Sequence, residues 1–182
     1  MNVLLPLAHG VEEMEAVTLI DILRRAKWDV TCAATGSSPV RGSRGVQLVA
    51  DTAWDAIDPA DFDLLVIPGG AQGAQALAAH EGVLDAIRGF VRDGRPVAAI
   101  CAGPTVLHAA GVLRERKATS HPSVRGALTD AIVLDDRVVI DGGIMTSQGP
   151  GTAVEFALAL ISTLDASERA GEIARGMCVA GS

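Results

Sequence analysis

The sequence has very few aromatic residues: no tyrosine, three phenylalanines and two tryptophans among 182 residues. Proteins that bind single-stranded nucleic acid stack bases on aromatic side chains, and duplex binders neutralise phosphates with clustered basic residues. Here the 15 lysines and arginines are scattered along the chain, and the formal net charge is −7. We therefore predict no nucleic-acid partner.

Cysteines and long apolar runs are scarce as well. Cys32, Cys101 and Cys178 are too few and too dispersed for a disulfide framework. No window holds the roughly eighteen uninterrupted apolar residues that a membrane-spanning helix needs. The first residues, MNVLLPLAHG, reach glycine and acids too early for a signal peptide. These absences predict a cytoplasmic protein with reduced thiols and no membrane association.

What the sequence does contain is an alternation of strand and helix patterns. The strand candidates are NVLLPLA, WDVTCAAT, DFDLLVIPGG, which ends in two glycines, and RPVAAICAG, and short strands are predicted in DDRVVIDGGIMTS. The helix candidates are VEEMEAVTLIDILRRA, AQALAA, GVLDAIRGFVRDG, PTVLHAAGVL, GTAVEFALALISTL and SERAGEIARGM. The segment SPVRGSRGVQLVADTAW is predicted to form a hairpin-like excursion. The alternation predicts a doubly wound α/β sheet in a single domain, residues 1–182.

Three breaks after predicted strands, HGVEEME, PGGAQG and CAGPT, indicate where a site would form. Ligands of doubly wound sheets bind beyond the carboxyl ends of the strands. We therefore expect these three loops to converge on the functional site.

Cys101 lies between a predicted strand and a predicted helix, and small residues follow it. This is the context of a nucleophile elbow, in which the next backbone N–H, that of Ala102, helps to form an oxyanion hole. A helix N-terminus directed at the sulfur would lower the pKa of the thiol. The alternative is a small buried core residue, since free cysteine is among the most buried residue types.

Glu15 points into the apolar arc of the first predicted helix, where burial should raise the pKa of its carboxyl group. A protonated Glu15 beside Cys101 could donate a hydrogen bond and later move protons, or the residue could simply occupy a favourable first-turn position. Met14 and Val17 fall on or near the polar arc instead. They are either scattered exposed residues or part of a subunit interface.

Gly69, Gly70 and His121 complete the residues singled out from pattern alone. The backbone N–H groups of the glycine pair could hold an oxyanion, although two glycines also make an ordinary turn. His121, in TSHPS, could act as a base beside the thiol or could be structural. No histidine, cysteine or acidic residues show a recognised metal-ligand spacing, so neither a metal nor a cofactor is predicted.

Taken in order, GVEEMEAVTLIDILRRA, VIPGGAQGAQAL, AAICAGPTVL, TSHPSV and TSQGPGTAVEFALALI resemble the DJ-1/ThiJ/PfpI superfamily, most closely its DJ-1/YajL branch. The resemblance extends from Asn2 to about Met177. It implies a flavodoxin-like, class I glutamine amidotransferase-like α/β sandwich that forms a homodimer through its first helix.

The resemblance also implies roles for particular residues. Cys101 would be the reactive cysteine, with Glu15 as the buried acid and His121 as the nearby histidine. Gly69, Gly70 and Ala102 would form the oxyanion region. Arg44 would reach toward a pocket of the partner subunit, and the segment 149–151, which includes Pro150 and Gly151, would line that pocket.

The activity implied by the resemblance is cofactor-independent chemistry on small reactive carbonyls in a stress response. It includes glyoxalase III-type conversion of methylglyoxal or glyoxal to hydroxy acids and deglycase-like removal of glycation adducts. The alternatives are a redox-sensing or chaperone protein whose Cys101 oxidises to sulfinic acid, and a hydrolase of another small electrophile. Ala102 stands where protease-like relatives carry histidine, and Ser123 stands where amidotransferases carry glutamate. Neither peptidase nor amidotransferase activity is therefore expected.

Overall fold

The computed structural model of the chain describes residues 1–180; the last two positions of the predicted domain, 181 and 182, lie outside the described residues. The strands are β1 (Asn2–Leu7), β2 (Asp29–Ala34), β3 (Val40–Arg41), β4 (Gln47–Leu48), β5 (Thr52–Ala53), β6 (Leu64–Ile67), β7 (Val97–Ile100), β8 (Lys117–Ala118), β9 (Ile132–Val133), β10 (Val138–Asp141) and β11 (Ile144–Ser147). The helices are α1 (Glu13–Arg25), α2 (Ala71–Ala78), α3 (Glu81–Arg92), α4 (Pro104–Ala109), α5 (Ala153–Leu164) and α6 (Ser167–Gly176). Short 3-10 turns lie at Trp54–Ala56, Pro59–Asp61, Pro122–Ala127 and Pro150–Thr152.

The central sheet has seven strands in the order β10-β11-β7-β6-β1-β2-β5. All neighbouring pairs are parallel except the β10–β11 hairpin at one edge. This arrangement confirms the predicted flavodoxin-like, mostly parallel sheet. The chain leaves β1 toward β2 and β5 and then returns to β6 on the other side, so that the crevice beyond β1 and β6 is a topological switch point.

Both faces of the sheet are covered by helices, because successive side chains of a strand point to opposite faces. Val3 and Leu5 of β1 pack in a core with α1, α5 and α6. Leu4 packs in a second core with α2, α3 and α4. All three of these strand residues are fully buried, as expected for parallel strands with helices on both sides.

The predicted excursion after β2 is a real hairpin, in which β3 and β4 pair antiparallel outside the main sheet. The predicted helix PTVLHAAGVL is shorter than expected, since α4 ends at Ala109 and Gly111 adopts a φ of 78°. The sequence analysis made no assignment for β8 and β9, which form a separate parallel pair of two residues each. Within residues 1–180, no helix combines the length and the apolar character required to cross a bilayer.

Candidate active site

Cys101 occupies a sharp turn between β7 and α4. Its φ is +63°, a left-handed backbone conformation that costs a non-glycine residue about 1 kcal/mol. Two main-chain hydrogen bonds hold this turn: the Cys101 N–H donates to the Ser147 carbonyl at 3.0 Å, and the His121 N–H donates to the Cys101 carbonyl at 2.9 Å. Because strained residues persist only where the surroundings enforce them, this backbone supports a presented side chain rather than a filler of the core.

Glu15 lies in the first turn of α1 and is completely buried. Its Oε2 accepts a hydrogen bond from the Gly69 N–H at 2.9 Å. Its Oε1 is buried and has no well-aligned hydrogen-bond partner among residues 1–180. The neighbouring Cys101 thiol nevertheless interacts with the carboxylate as a donor. The two side chains therefore form one buried acid–thiol pair.

Burial raises the pKa of Glu15 to about 7, because the apolar surroundings disfavour the ionised carboxylate. The hydrogen bonds from Cys101 and from the Gly69 N–H oppose that rise, and the negative charge of Glu12 adds to it. A carboxyl group with this pKa is present in both protonation states near neutral pH. It can therefore accept and return a proton under physiological conditions.

The thiol pKa differs from the sequence-based expectation. Burial raises the pKa of Cys101 to about 12, and the Glu15 carboxylate adds to this rise by its charge and as a hydrogen-bond acceptor. The N–H groups of Gly70 and Ala102 act in the opposite direction. The prediction that a helix terminus lowers the thiol pKa is therefore wrong for this geometry, since α4 has only six residues and Glu15 is adjacent.

The two consecutive glycines have different tasks. The Gly69 N–H is already donated to Glu15, so Gly69 does not supply the oxyanion donor that the sequence analysis assigned to it. A Cβ atom at Gly69 would overlap Glu15 Oε2 and would lie 2.5 Å from the Cys101 Cβ. Gly70 has a φ of +94°, and its N–H and that of Ala102 face the Cys101 sulfur. These two N–H groups are the available oxyanion donors.

The acid–thiol pair adjoins an open cavity of about 420 Å³, here called the catalytic cavity. It is lined by Gly10, Glu12, Ser43, Arg44, Gly70, Ala71, Gln72, Cys101, Ala102, His121, Ser123, Val124 and Pro150. The lining includes residues of all three loops that the sequence analysis expected to converge.

His121, Arg44 and Pro150 line this cavity within one chain. That Arg44 also reaches toward a partner's pocket stays a prediction. His121 Nδ1 lies 2.7 Å from Ser123 Oγ and accepts the Ser123 N–H, which leaves the ring proton on Nε2. Gly151 is not among the residues that line the cavity, and its carbonyl accepts a hydrogen bond from Arg137. The expectation that Gly151 contributes to a pocket shared between subunits stays a prediction.

Sequence reasoning missed several lining residues, among them Gly10, Glu12, Ser43 and Gln72. Gly10 and Glu12 could have been found from the position of the loop that directly follows the first buried strand. Ser43 reaches the cavity through the β3–β4 hairpin, and its hydroxyl donates to Glu12 at 2.8 Å. No sequence signal indicated that long-range contact.

The other two cysteines lie in different surroundings. Cys32 is buried in β2, where burial, followed by the charge of Asp51, raises the pKa of its thiol to about 12. Cys178 is exposed near the end of the described chain. Within residues 1–180, no group of three histidine, cysteine or acidic side chains is arranged to hold a metal ion.

Comparison with known proteins relates this geometry to one family. The model of the DJ-1/PfpI family matches residues 1–163. Protein DJ-1 homolog A of Arabidopsis thaliana is 42% identical over 98% of this chain, which covers 46% of that protein. The chain thus spans about half the length of this plant relative.

Two further relatives match this chain over nearly their full lengths. The Caenorhabditis elegans protein named glutathione-independent glyoxalase DJR-1.2 is 37% identical, over 98% of this chain and 95% of its own. The crystal structure of Drosophila melanogaster DJ-1beta superposes with a TM-score of 0.94 at 42% identity, over 98% of both chains.

Proposed function

The chain belongs to the DJ-1/PfpI family, and on that premise we propose that it is a cysteine-dependent enzyme that converts small α-oxoaldehydes such as methylglyoxal to hydroxy acids without a cofactor. The observation that carries the proposal is the buried Glu15 carboxyl, with a pKa of about 7, paired with the Cys101 thiol beside an open cavity. The glyoxalase name of the nematode relative supports the same substrate class.

In the proposed reaction, Cys101 adds to the aldehyde carbon and forms a hemithioacetal. The thiol pKa of about 12 means that little free thiolate exists, so the proton must leave the sulfur as the S–C bond forms. The ionised Glu15 carboxylate is the adjacent acceptor for this proton. The N–H groups of Gly70 and Ala102 donate to the oxygen that gains negative charge.

The second stage moves hydrogen between adjacent carbons. Glu15 first returns the thiol proton to the hemithioacetal oxygen and is ionised again. The carboxylate then takes the proton from the former aldehyde carbon and delivers it to the neighbouring carbonyl carbon, while the hemithioacetal hydroxyl proton passes to the carbonyl oxygen, and the hemithioacetal becomes the thioester of a hydroxy acid. His121 assists from the cavity wall, since its Nε2–H is free to hydrogen-bond the carbonyl oxygen of the substrate. Water then hydrolyses the thioester, which releases the hydroxy acid and restores the thiol.

The test is methylglyoxal consumption with lactate detection, without added cofactor, on the parent protein and on Cys101→Ser, Glu15→Gln and Cys178→Ser. We expect the parent and the Cys178→Ser control, which alters an exposed cysteine, to form lactate. Cys101→Ser and Glu15→Gln should each lose about a hundredfold or more in kcat/KM. Lactate formation by Cys101→Ser at the parental rate would disprove the mechanism. Turnover by the parent of glycated thiols but not methylglyoxal would favour the deglycase reaction instead.

A second candidate function is redox sensing, which the unpartnered Oε1 of Glu15 favours. When protonated, this oxygen can donate a hydrogen bond to a sulfinate formed on Cys101. Because the Glu15 carboxylate can take the thiol proton as the S–O bond forms, peptide mass analysis after mild peroxide should show a two-oxygen adduct on Cys101 before Cys178 reacts, although Cys178 is the more exposed thiol. Earlier oxidation of Cys178 would contradict this candidate. Absence of both lactate and selective oxidation, with Cys101 still alkylated, would favour hydrolysis of another small electrophile.

We also propose that two copies of the chain pair through α1. Met14 and Val17 are exposed on this helix, with relative exposures of 58% and 49%. Residues three apart lie on the same helix face, and an apolar pair on such a face is suited to a symmetric contact with a second copy.

A further inference from the structure

A second cavity, of about 550 Å³, lies beside the catalytic cavity, and we call it the arginine cavity. It is lined by His9, Gly10, Arg41, Gly42, Ser43, Arg44, Gly45 and Gln72. Four of these residues, Gly10, Ser43, Arg44 and Gln72, also line the catalytic cavity. The two cavities are therefore adjoining, and Arg44 stands between them.

The two arginines of this cavity have no acidic partners. Nine other arginines form ion pairs with aspartate or glutamate, whereas Arg41 and Arg44 form none within residues 1–180. No acidic residue is among those that line the arginine cavity. In a protein with a net charge of −7, two unpaired guanidinium groups in one concave site form a local positive field that favours an anion.

Arg41 is held in place by its backbone. Its N–H donates to His9 Nδ1 at 3.0 Å, and its carbonyl accepts the Gly10 N–H at 2.8 Å. Since Nδ1 accepts a hydrogen bond, the ring proton of His9 is on Nε2, which lies 2.9 Å from Ser37 Oγ. His9 thus ties the first residues of the hairpin to the loop after β1.

Two acidic groups, Glu12 and Glu13, lie near the boundary between the cavities. Glu12 lines the catalytic cavity and accepts the Ser43 hydroxyl. The buried Glu13 carboxylate accepts the Ser43 hydroxyl at 3.0 Å and the Arg44 N–H at 2.8 Å. Of the charged residues that line the joined cavities, Glu12 lines only the catalytic cavity, Arg41 lines only the arginine cavity, and Arg44 lines both. A substrate with a neutral reacting carbonyl and an anionic tail matches this polarity.

We propose that the preferred substrate of this site is an α-oxoaldehyde with a short carboxylate-bearing arm, whose carboxylate binds between Arg41 and Arg44. This inference rests on the proposed function. Guanidinium groups bind the two oxygens of a carboxylate in a planar, bidentate manner.

The test compares 4,5-dioxopentanoate with its methyl ester, which removes only the charge of the arm. In the proposed reaction the acid takes up water and becomes 2-hydroxypentanedioate, with a proton transferred from C5 to C4. We expect the parent to favour the acid over the ester by about tenfold in kcat/KM. In Arg41→Gln, the ratio of kcat/KM for the acid to kcat/KM for the ester should fall toward one. Arg114→Gln, which alters an exposed arginine outside both cavities, should leave the ratio unchanged.

A ratio near or below one in the parent, with methylglyoxal still converted, would overturn the arginine-cavity proposal and leave the proposed function intact. If Arg41→Gln keeps the same kcat/KM ratio as the parent, the proposal that Arg41 binds the carboxylate is also overturned.

If no dicarbonyl is converted, the proposed function is disproved. An alkylation experiment then still tests the arginine cavity, because it does not depend on turnover. In a Cys178→Ser background, Cys101 is alkylated with 5-bromo-4-oxopentanoate or its methyl ester, the S–C bond forming as bromide leaves. Faster labelling by the acid in the parent, lost in Arg41→Gln, would support the arginine cavity independently of turnover. Equal labelling by acid and ester would reject it.

Discussion

At the scale of single residues, the site depends on one carboxyl group buried where a charge is costly. Glu15 is fully buried and receives only one well-aligned hydrogen bond, from the Gly69 N–H. The same burial that raises its pKa to about 7 destabilises the folded protein whenever the group is ionised. The proposed proton acceptor is therefore maintained at the expense of stability, and the consequence is measurable.

We expect Glu15→Gln to stabilise the protein in a pH-dependent way. The folded pKa of about 7 exceeds the ordinary value of 4.5, so the folded state binds more protons between these pH values. The free energy of unfolding of the parent therefore falls as pH rises from 4.5 to 7 and stays low above it. The glutamine variant avoids this loss and should be more stable than the parent by roughly 3 kcal/mol at pH 8.

Urea unfolding of both proteins at pH 5 and pH 8 measures the difference. Glu168→Gln, which alters an exposed acid, is the control and should show no such pH-dependent gap. If the difference in free energy of unfolding between Glu15→Gln and the parent is the same at pH 5 and pH 8, Glu15 titrates normally.

At the scale of secondary-structure elements, helix α1 connects the acid–thiol pair to the β3–β4 hairpin. Glu13, two residues before Glu15, is buried and accepts hydrogen bonds from the hairpin tip, including the Arg44 N–H at 2.8 Å and the Val46 N–H at 3.4 Å. Burial alone would raise the pKa of Glu13, but hydrogen bonds from its own N–H, from Ser43 and from these two backbone groups lower it. The ionised carboxylate is thus the group that fixes Arg44 beside both cavities.

We expect Glu13→Ala to loosen the hairpin tip while the sheet stays folded. Hydrogen bonds to a charged acceptor contribute about 2 kcal/mol, so amide hydrogen exchange at Arg44 and Val46 should accelerate by roughly thirtyfold. Amides of β1 and β6 serve as internal references, and Glu172→Ala, at an exposed helix position, is the matched control. Unchanged exchange at the two tip amides would show that the hairpin is held by other contacts.

Elements with long or strongly apolar patterns were predictable from the sequence, and short ones were not. β6 and β7 are continuous apolar runs, β1 is one after Asn2, and a sheet buried on both faces requires such runs. β8 and β9 have two residues each, too few to show any periodicity. Their pairing is decided by tertiary packing, which local sequence does not encode.

The features of the candidate site were likewise predictable from the sequence only in part. Cys101 and Glu15 were found because one follows a strand and the other interrupts an apolar arc. The different tasks of Gly69 and Gly70 could not be found, since the sequence does not reveal which of two successive N–H groups faces Glu15 and which faces Cys101. The thiol pKa was missed for a related reason, because it depends on burial and on a charge 86 positions away in the chain.

At the scale of the whole molecule, α1 separates the acid–thiol pair from the proposed subunit contact. Glu15 is buried toward the sheet, whereas Met14 and Val17 of the same helix are about half exposed. Val17 is two positions from Glu15, which places it on nearly the opposite side of the helix. A substitution at Val17 can therefore probe association without touching the acid–thiol pair.

We expect the parent to sediment as a dimer at micromolar concentration and Val17→Glu to sediment as a monomer. Placing two carboxylates against an apolar contact leaves them desolvated and facing each other, which should raise the dissociation constant by about a hundredfold or more. Val49→Glu is the control: Val49 is 81% exposed but lies after the hairpin rather than on α1, so this variant should remain dimeric. Sedimentation velocity distinguishes the outcomes. A monomeric parent would reject the dimer, whereas dissociation by Val49→Glu and not by Val17→Glu would place the contact on the hairpin side of the molecule.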